Sequence, residues 1–304
     1  MTDSKLISAT VLSPNFTADR KLNGVQYEVD TITPHCTAGS KDSTCVQVAN
    51  VFSSKARQAS CNYAIGGDGA ICLVVHEKDR SWCSGGLTAD QMKKLRGNYE
   101  TGSMNDYHAI TVEIASDTSG NTVNAAAIES FIALSIDIME RYGKNRAVFI
   151  YTSDNNGEAM VNYKPQPNEM KFTWHRWFAQ KACPGKYIMD HMQYIIDKIN
   201  EHFEKAEQVN EDQTAVTSDT TDAAENSGTS ELKYKTGDLV YFIGGSQFGS
   251  ANASNPAGEV KASLAKITQT YNGKHPYHCR RVNSQGEFIV GGIYGWTDEA
   301  NLTT

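Results

Sequence analysis

The fold class is decided by a strand–helix–strand stretch at residues 109–151, which reads AITVEIASDTSGNTVNAAAIESFIALSIDIMERYGKNRAVFIY. Its two ends, residues 109–115 and 147–151, are short runs rich in β-branched residues and are typical of buried strands. Between them, residues 125–142 place apolar side chains at helical spacing, and Gly143 follows as a C-cap. Apolar strands that alternate with helices predict an α/β fold, with a central sheet covered by helices.

Further elements extend this pattern in both directions. Strands are predicted at residues 25–33, 62–65 and 71–75, and a helix is predicted from Asp42 or Ser43 to about Arg57. A last helix is predicted to begin at Pro184, because proline suits the first helical position. From residue 234 the chain instead shows short strands between Gly, Asn and Pro turns, which predicts a small all-β barrel.

The charge distribution divides the chain into three parts. Residues 206–231 carry seven of the acidic side chains and no basic one, with only two large apolar side chains, so we predict a self-repelling linker there. The predicted domains are therefore residues 1–205 and residues 232–304. Neither has the strongly basic surface that nucleic-acid binding requires, so no nucleic-acid partner is expected.

The distribution of apolar residues indicates whether the chain contains a membrane span or a signal peptide. No stretch approaches 18 apolar residues, which excludes a membrane span from the prediction. The first ten residues have no apolar core of a signal peptide. We therefore expect synthesis in the cytoplasm, with release by a membrane-permeabilising partner or by lysis if the protein acts outside the cell.

The stretch TWHRWFAQKACPG, residues 173–185, carries the most informative polar residues. Cys183 directly precedes the predicted helix, whose positive end favours the thiolate that binds metal. Lys181 lies two residues earlier and emerges on the same side of an extended segment, where its charge could stabilise an oxyanion. His175 and Cys183 form a candidate ligand pair for zinc, and His35, at a strand end in TITPHCTAG, is a candidate third ligand. The alternative for His35 is a surface imidazole with an ordinary hydrogen bond.

These residues occur together in a pattern that resembles the type-2 N-acetylmuramoyl-L-alanine amidase family, over roughly residues 22–200. The family includes phage endolysins and peptidoglycan recognition proteins. The resemblance rests on His35 in PHCTAG, Tyr63 in SCNYAIGGDG, Glu113 in ITVEIASD, and His175, Lys181 and Cys183 in WHRWFAQKACPG. It implies the family's fold, a mixed central β-sheet flanked by helices.

The resemblance also implies roles for these residues. His35, His175 and Cys183 would bind one Zn²⁺ and leave a fourth position open, as catalytic zinc requires. Glu113 would move the proton from water to the leaving amine, while Tyr63 and Lys181 would polarise the scissile carbonyl. The substrate would be bacterial peptidoglycan, cleaved between N-acetylmuramic acid and L-alanine of the stem peptide.

Several positions keep an alternative interpretation. Glu113 could be a strand residue that faces solvent or pairs with a cation, Tyr63 a buried core phenol, and Lys181 a solvated surface lysine. Cys36 should point away from His35 on a strand and is left out of the metal set. The chain also departs from the family, because residues 82–85 read Trp-Cys-Ser-Gly where many relatives have a Trp-His-Ala-Gly-like segment; for Cys83 a core position is favoured.

The C-terminal block resembles the bacterial SH3-like modules of cell-wall hydrolases, through KHPYHCRRV and IYGWTD. Such a module would hold the enzyme on the wall and raise its local concentration there. The leading hypothesis is therefore a zinc-dependent peptidoglycan hydrolase, an endolysin or autolysin. The alternatives are a non-catalytic peptidoglycan recognition protein, which the presence of Cys183 disfavours, and a muropeptide-recycling amidase, which the β-module disfavours.

Overall fold

The computed structural model describes residues 2–97, 100–150, 157–215, 232–283, 286 and 292–303, with the backbone alone for residues 205–215. The chain divides into two compact units, Met1–Asp219 and Thr220–Thr304. The predicted linker, residues 206–231, overlaps the end of a helix that runs to Ala215, and the rest of it lies outside the described residues.

The first unit alternates short strands with helices. Its strands are β1 (Ala9–Thr10), β2 (Phe16–Thr17), β3 (Lys21–Leu22), β4 (Val25–Gln26), β5 (Thr31–Cys36), β6 (Tyr63–Ile65), β7 (Ile71–Leu73), β8 (Arg80–Ser81), β9 (Ala109–Ile114), β10 (Arg146–Val148) and β11 (Glu169–Phe172). Its helices are α1 (Cys45–Asn50), α2 (Ala89–Arg96), α3 (Gly102–His108), α4 (Ala125–Arg141), α5 (Glu158–Asn162) and α6 (Lys186–Ala215).

Seven of these strands form one sheet in the order β1-β7-β6-β9-β5-β11-β10. The pairing is parallel except between β6 and β7, which are antiparallel. The sheet is therefore mixed, and it is covered by helices, as the α/β prediction states.

The two faces of the sheet are buried against different helices. On one face, α4 and α6 cover a large apolar core in which Phe131 and Ile138 of α4 are fully buried. Fully burying one such side chain contributes about 1.5–3 kcal/mol. On the other face, α1 packs on β6 and β7 and buries a smaller cluster that includes Val48 and Phe52. Part of this second face remains open, and the candidate site lies there.

Two predicted helix boundaries differ from the structure. Helix α1 begins after the N-cap Thr44 in a capping box with Gln47 and ends at Asn50, earlier than predicted. A separate 3₁₀ turn, Lys55–Arg57, follows it with Ser54 as its cap. Helix α6 begins at Lys186, two residues after Pro184.

The second unit is all-β, as predicted. Its strands are β12 (Leu239–Phe242), β13 (Gly245–Gln247), β14 (Gly258–Val260), β15 (Ser263–Thr270), β16 (Tyr277–Arg281), β17 (Tyr294–Thr297) and β18 (Leu302–Thr303). Five of them form an antiparallel sheet in the order β17-β16-β15-β12-β18, and β13 pairs with β14. Phe242, Ile267 and Tyr277 are fully buried in its core. The SH3-like resemblance stays a prediction.

Within the part of the chain that the structure describes, no helix has both the length and the apolar character needed to cross a membrane.

Candidate active site

Two imidazoles and one thiol converge at the open face of the sheet. His35 lies near the end of β5, His175 begins a 3₁₀ turn (His175–Trp177) after β11, and Cys183 lies just before α6. One potential ligand atom from each of the three lies within 4.8 Å of the others. The Cys183 Sγ is 3.4 Å from the His35 Nδ1, and the two imidazole centroids are 4.9 Å apart. The structure therefore brings together all three predicted ligands.

The loop at Ser84 and Gly85 holds the far side of both imidazoles. The Nε2 of His175 lies 3.3 Å from the Gly85 carbonyl oxygen, which can only accept, so Nε2 carries the proton and Nδ1 keeps its lone pair. The Nε2 of His35 lies 3.4 Å from the Ser84 hydroxyl. Hydrogen bonds of this kind orient metal-binding histidines and select their tautomer.

Asp106 and Gly102 in turn fix this loop. The Oδ2 of Asp106 accepts from the backbone N–H groups of Cys83 and Ser84, each at 2.9 Å. Gly102, the first residue of α3, lies directly against the backbone of Ser84. A Cβ at position 102 would be 1.6 Å from the Ser84 carbonyl oxygen, so only glycine fits there. Sequence reasoning missed the roles of Ser84, Gly85 and Asp106. The available signal was the departure of residues 82–85 from the family pattern.

The donor set fits a divalent soft metal such as zinc. Burial, with the charges of His175 and Lys181 in second place, lowers the pKa of His35 well below its usual value. Burial also lowers the pKa of His175 to about 4, so both imidazoles are neutral and able to ligate. Burial, followed by the contact with Cys36, raises the pKa of the Cys183 thiol. A bound cation would favour the Cys183 thiolate in spite of this raised pKa, because metal binding displaces the thiol proton. Two neutral nitrogens and one sulfur are ligands typical of a catalytic zinc site with an open position.

Glu113 lies beside this group. It is the register partner of His35 on the adjacent parallel strand β9, so both side chains leave the sheet on the same face. Its Oε2 is buried and has no hydrogen-bond partner among the described residues, while its Oε1 lies 3.9 Å from the Cys83 Sγ. Burial, followed by the charge of Cys36, raises the pKa of Glu113 to about 8. His35, Cys83 and Glu113 also form a second group whose ligand atoms lie within 4.8 Å of one another.

Lys181 is exposed at the rim of the same cleft. Its positive charge lowers the pKa of both His35 and Glu113, which places its ammonium group within electrostatic range of the site. The structure thus places Lys181 in the same cleft as His175 and Cys183, and its role at the carbonyl stays a prediction.

Tyr63 lies elsewhere, on the opposite face of the sheet from Glu113, and this position does not support the role predicted for it at the scissile carbonyl. Its neighbour Ala64 is the register partner of Glu113, so alternation along β6 turns the Tyr63 side chain to the opposite face of the sheet. There the fully buried phenol donates to the Glu77 carboxylate at 2.5 Å and accepts from the Ser4 N–H at 2.9 Å. The core interpretation of Tyr63 is the one that agrees with these contacts.

Cysteine and tryptophan side chains complete the surroundings. Cys36, left out of the metal set, hydrogen-bonds through its thiol to Cys183 and lines the cleft. Trp174 and Trp177 are buried and pack together with their ring centroids 5.0 Å apart, which is a core role. Trp82 is half-buried and lines the cleft.

The site opens into a cleft of about 420 Å³. One wall is formed by α1 and the residues after it, including Val48, Phe52 and Arg57, and another by Lys181 and Cys183. A cleft of this size accepts a ligand, and His175 and Cys183 are among the residues that such a ligand would meet.

A comparison with known protein families identifies the family of the first unit. Residues 25–186, more than half of the chain, match the family model described as N-acetylmuramoyl-L-alanine amidase. No curated protein matches the chain in sequence.

Solved structures give weaker likenesses. A mutant endolysin from Bacillus subtilis is 15% identical, with 64% of this chain and 99% of that chain covered and a TM-score of 0.38. An endolysin N-acetylmuramoyl-L-alanine amidase from Clostridium intestinale is 14% identical, with 59% and 89% covered and a TM-score of 0.35. An endolysin from a Thermus scotoductus bacteriophage is 16% identical, with 59% and 88% covered and a TM-score of 0.34.

Proposed function

Because the chain belongs to the N-acetylmuramoyl-L-alanine amidase family, we propose that it is a zinc-dependent peptidoglycan hydrolase of the endolysin or autolysin type. It cleaves the amide between the lactyl group of N-acetylmuramic acid and L-alanine of the stem peptide. The observation that carries the proposal is the convergence of His35, His175 and Cys183 beside the buried carboxylate of Glu113.

Zinc is the metal that His35, His175 and Cys183 would hold, and when bound it supplies Lewis-acid chemistry that makes water more acidic and polarises a carbonyl. The Nε2 contacts of both imidazoles with the loop keep their Nδ1 atoms turned to the ligand position. Ser84 and Gly85 are therefore positioning residues.

Glu113 and Lys181 divide the remaining work. Glu113 takes a proton from the attacking water and delivers it to the leaving amine nitrogen, which must be protonated before the C–N bond breaks. In the ionised form of Glu113, the Oε2, which has no hydrogen-bond partner among the described residues, can accept that proton. Lys181 places a positive charge near the carbonyl oxygen, where negative charge develops during attack.

We also propose the division of labour between the two units. Residues 1–205 form the catalytic domain, residues 206–231 link it to the second domain, and residues 232–304 form an SH3-like module that binds the cell wall. Tethering raises the local concentration of the catalytic domain at a polymeric substrate. Deleting residues 206–304 should lower wall binding in a pelleting assay while activity on a small soluble muropeptide is retained.

Products released from purified cell walls distinguish the candidate functions. The amidase should generate free L-alanine amino groups without new reducing sugar ends. New reducing ends would contradict the proposal, and release of neither product would favour a recognition protein that binds the wall without cutting it.

A further inference from the structure

The cleft is lined by three charged side chains, Arg57, Glu113 and Lys181. The proposed mechanism uses Glu113 and Lys181 at the scissile amide. It leaves Arg57 without a role, although this residue adds a second positive charge to a cleft that offers one carboxylate.

Arg57 is the last residue of the 3₁₀ turn that follows α1, and local hydrogen bonds and backbone geometry fix this turn. Ser54 caps the turn through its hydroxyl, which accepts from the Ala56 N–H. Gln58 directly after it has a left-handed backbone with φ of 50°, which turns the chain back toward the sheet. The turn therefore positions Arg57 in the cleft wall that is formed by α1 and the residues after it.

The Arg57 side chain is exposed, and its guanidinium has no hydrogen bond or ion pair with the residues that the structure describes. Arg57 and Glu113 nevertheless line the same cleft, so the guanidinium shares it with the reacting centre. A cation at this position that serves no internal contact is available to a ligand in the cleft.

The cleft also has an apolar part, because Val48, Val51, Phe52 and Ala59 line it together with Arg57. Such a surface suits the methyl groups of the lactyl moiety and of L-alanine, which flank the scissile amide. A guanidinium in the same cleft can meet the next residue of the stem peptide, whose α-carboxyl is the ionisable group nearest to the scissile amide. Arginine presents a planar pair of N–H donors that matches a carboxylate.

We propose that Arg57 binds the α-carboxylate of the second stem residue, D-glutamate, and so makes the enzyme prefer stem peptides in which this carboxyl is free over those in which it is amidated. This inference rests on the proposed amidase function. An amide offers no negative charge and only one good acceptor, so the amidated substrate loses the charge-assisted bond.

The test compares two soluble substrates that differ only at this carboxyl: N-acetylmuramoyl-L-Ala-γ-D-Glu-L-Lys and its D-isoglutamine counterpart. The wild type should hydrolyse the free-acid substrate with a kcat/KM about tenfold higher, the value of one charge-assisted hydrogen bond in a partly hydrated cleft. Arg57→Gln should abolish this preference by lowering kcat/KM for the free acid alone. Arg57→Lys should keep part of it, because lysine retains the charge without the planar donor pair.

Lys55→Gln is the matched control, because Lys55 lies in the same turn but does not line the cleft. It should leave the preference unchanged. A preference that persists in Arg57→Gln, or an equal loss on both substrates, would overturn the assignment; an equal loss would instead indicate that Arg57 acts through Glu113.

Calorimetry of both substrates with the Glu113→Gln variant tests the assignment of Arg57 separately from the amidase function. If the wild type hydrolysed neither substrate, yet binding favoured the free acid and Arg57→Gln removed that difference, the amidase function would fail while the assignment of Arg57 would stand. Equal binding of both substrates would overturn the assignment whether or not hydrolysis occurs.

Discussion

His35 and Glu113 are register partners on the neighbouring parallel strands β5 and β9, and both face the side of the sheet on which α1 packs. This pairing places a candidate metal ligand and a candidate proton carrier side by side on adjacent strands of the sheet. Groups on strands are positioned more precisely than groups on loops, so the sheet itself sets the relative position of His35 and Glu113. His175 and Cys183 then approach from the segment between β11 and α6.

Glu113→Gln should abolish hydrolysis while leaving metal binding intact. The amide keeps the size of the side chain but cannot accept a proton and pass it to the leaving amine, so kcat should fall by about 10²–10⁴-fold. Metal content and the thermal unfolding midpoint are measured on the same preparation. Glu28→Gln, which changes an exposed carboxyl outside the cleft lining, serves as the control. Wild-type activity in Glu113→Gln would exclude this residue from the chemistry.

Tyr63→Phe should lower stability and leave kcat/KM unchanged. The substitution removes a hydroxyl that joins the Glu77 carboxylate to the Ser4 N–H in a buried position. Losing these bonds should cost about 1–3 kcal/mol of the free energy of unfolding, which chemical denaturation measures. A large fall in kcat with unchanged stability would restore the catalytic role that the family resemblance suggests for Tyr63.

Ser84→Ala should weaken metal binding by about tenfold, in the range found when a partner of a ligating histidine is removed. The hydroxyl is the contact of the His35 Nε2, and without it the ring loses part of its orientation. A competition titration with a chromogenic chelator reports the affinity. Ser53→Ala, an exposed serine after α1, is the control. Equal affinities in the wild type and in Ser84→Ala would show that the loop does not orient His35.

His278 should make the second unit less stable in acid. Burial, followed by the charge of Arg280, lowers its pKa to about 4 in the folded state, compared with an unfolded value near 6.5. Between these pH values the unfolded chain binds more protons, so stability falls as the pH drops from about 6.5 to 4, by about 3 kcal/mol at most. His278→Gln should remove this component from the pH dependence of unfolding, whereas His202→Gln, at an exposed site, should not. An imidazole titration by NMR with a midpoint near 6.5 for His278 would contradict the prediction.

The sequence predicts most reliably the elements that carry a strong period. The pattern of helix α4 and strand β9 predicts their bounds almost to the residue, because apolar side chains recur at 3.6-residue spacing in the helix and at every second residue in the strand. Strand β11 was not predicted, since Glu169 and Lys171 make a four-residue run look polar although both side chains are buried in the structure. Their burial depends on partners outside the strand, such as the Tyr163 hydroxyl, which donates to Glu169.

The site shows the same difference between local sequence patterns, which can be predicted, and contacts between separate parts of the chain, which cannot. The three candidate ligands stand in recognisable local motifs, whereas the contacts that orient them come from Ser84 and Gly85, some 50 to 90 residues away from the histidines they touch. Tyr63 illustrates the opposite case. A residue in a matching motif was assigned to the site, but a shift of one position along a strand places the side chain on the other face of the sheet.

The central claim is that His35, His175 and Cys183 hold one zinc ion, and the metal content of purified variants tests it most directly. Cys83→Ala is the matched control for Cys183→Ala, because Cys83 belongs to the second group of potential ligands, with His35 and Glu113. Elemental analysis should find about one zinc per chain in the wild type and in Cys83→Ala, and almost none in Cys183→Ala or His175→Ala. Full zinc content in Cys183→Ala together with its loss in Cys83→Ala would contradict the account, as would zinc retained in both Cys183→Ala and His175→Ala.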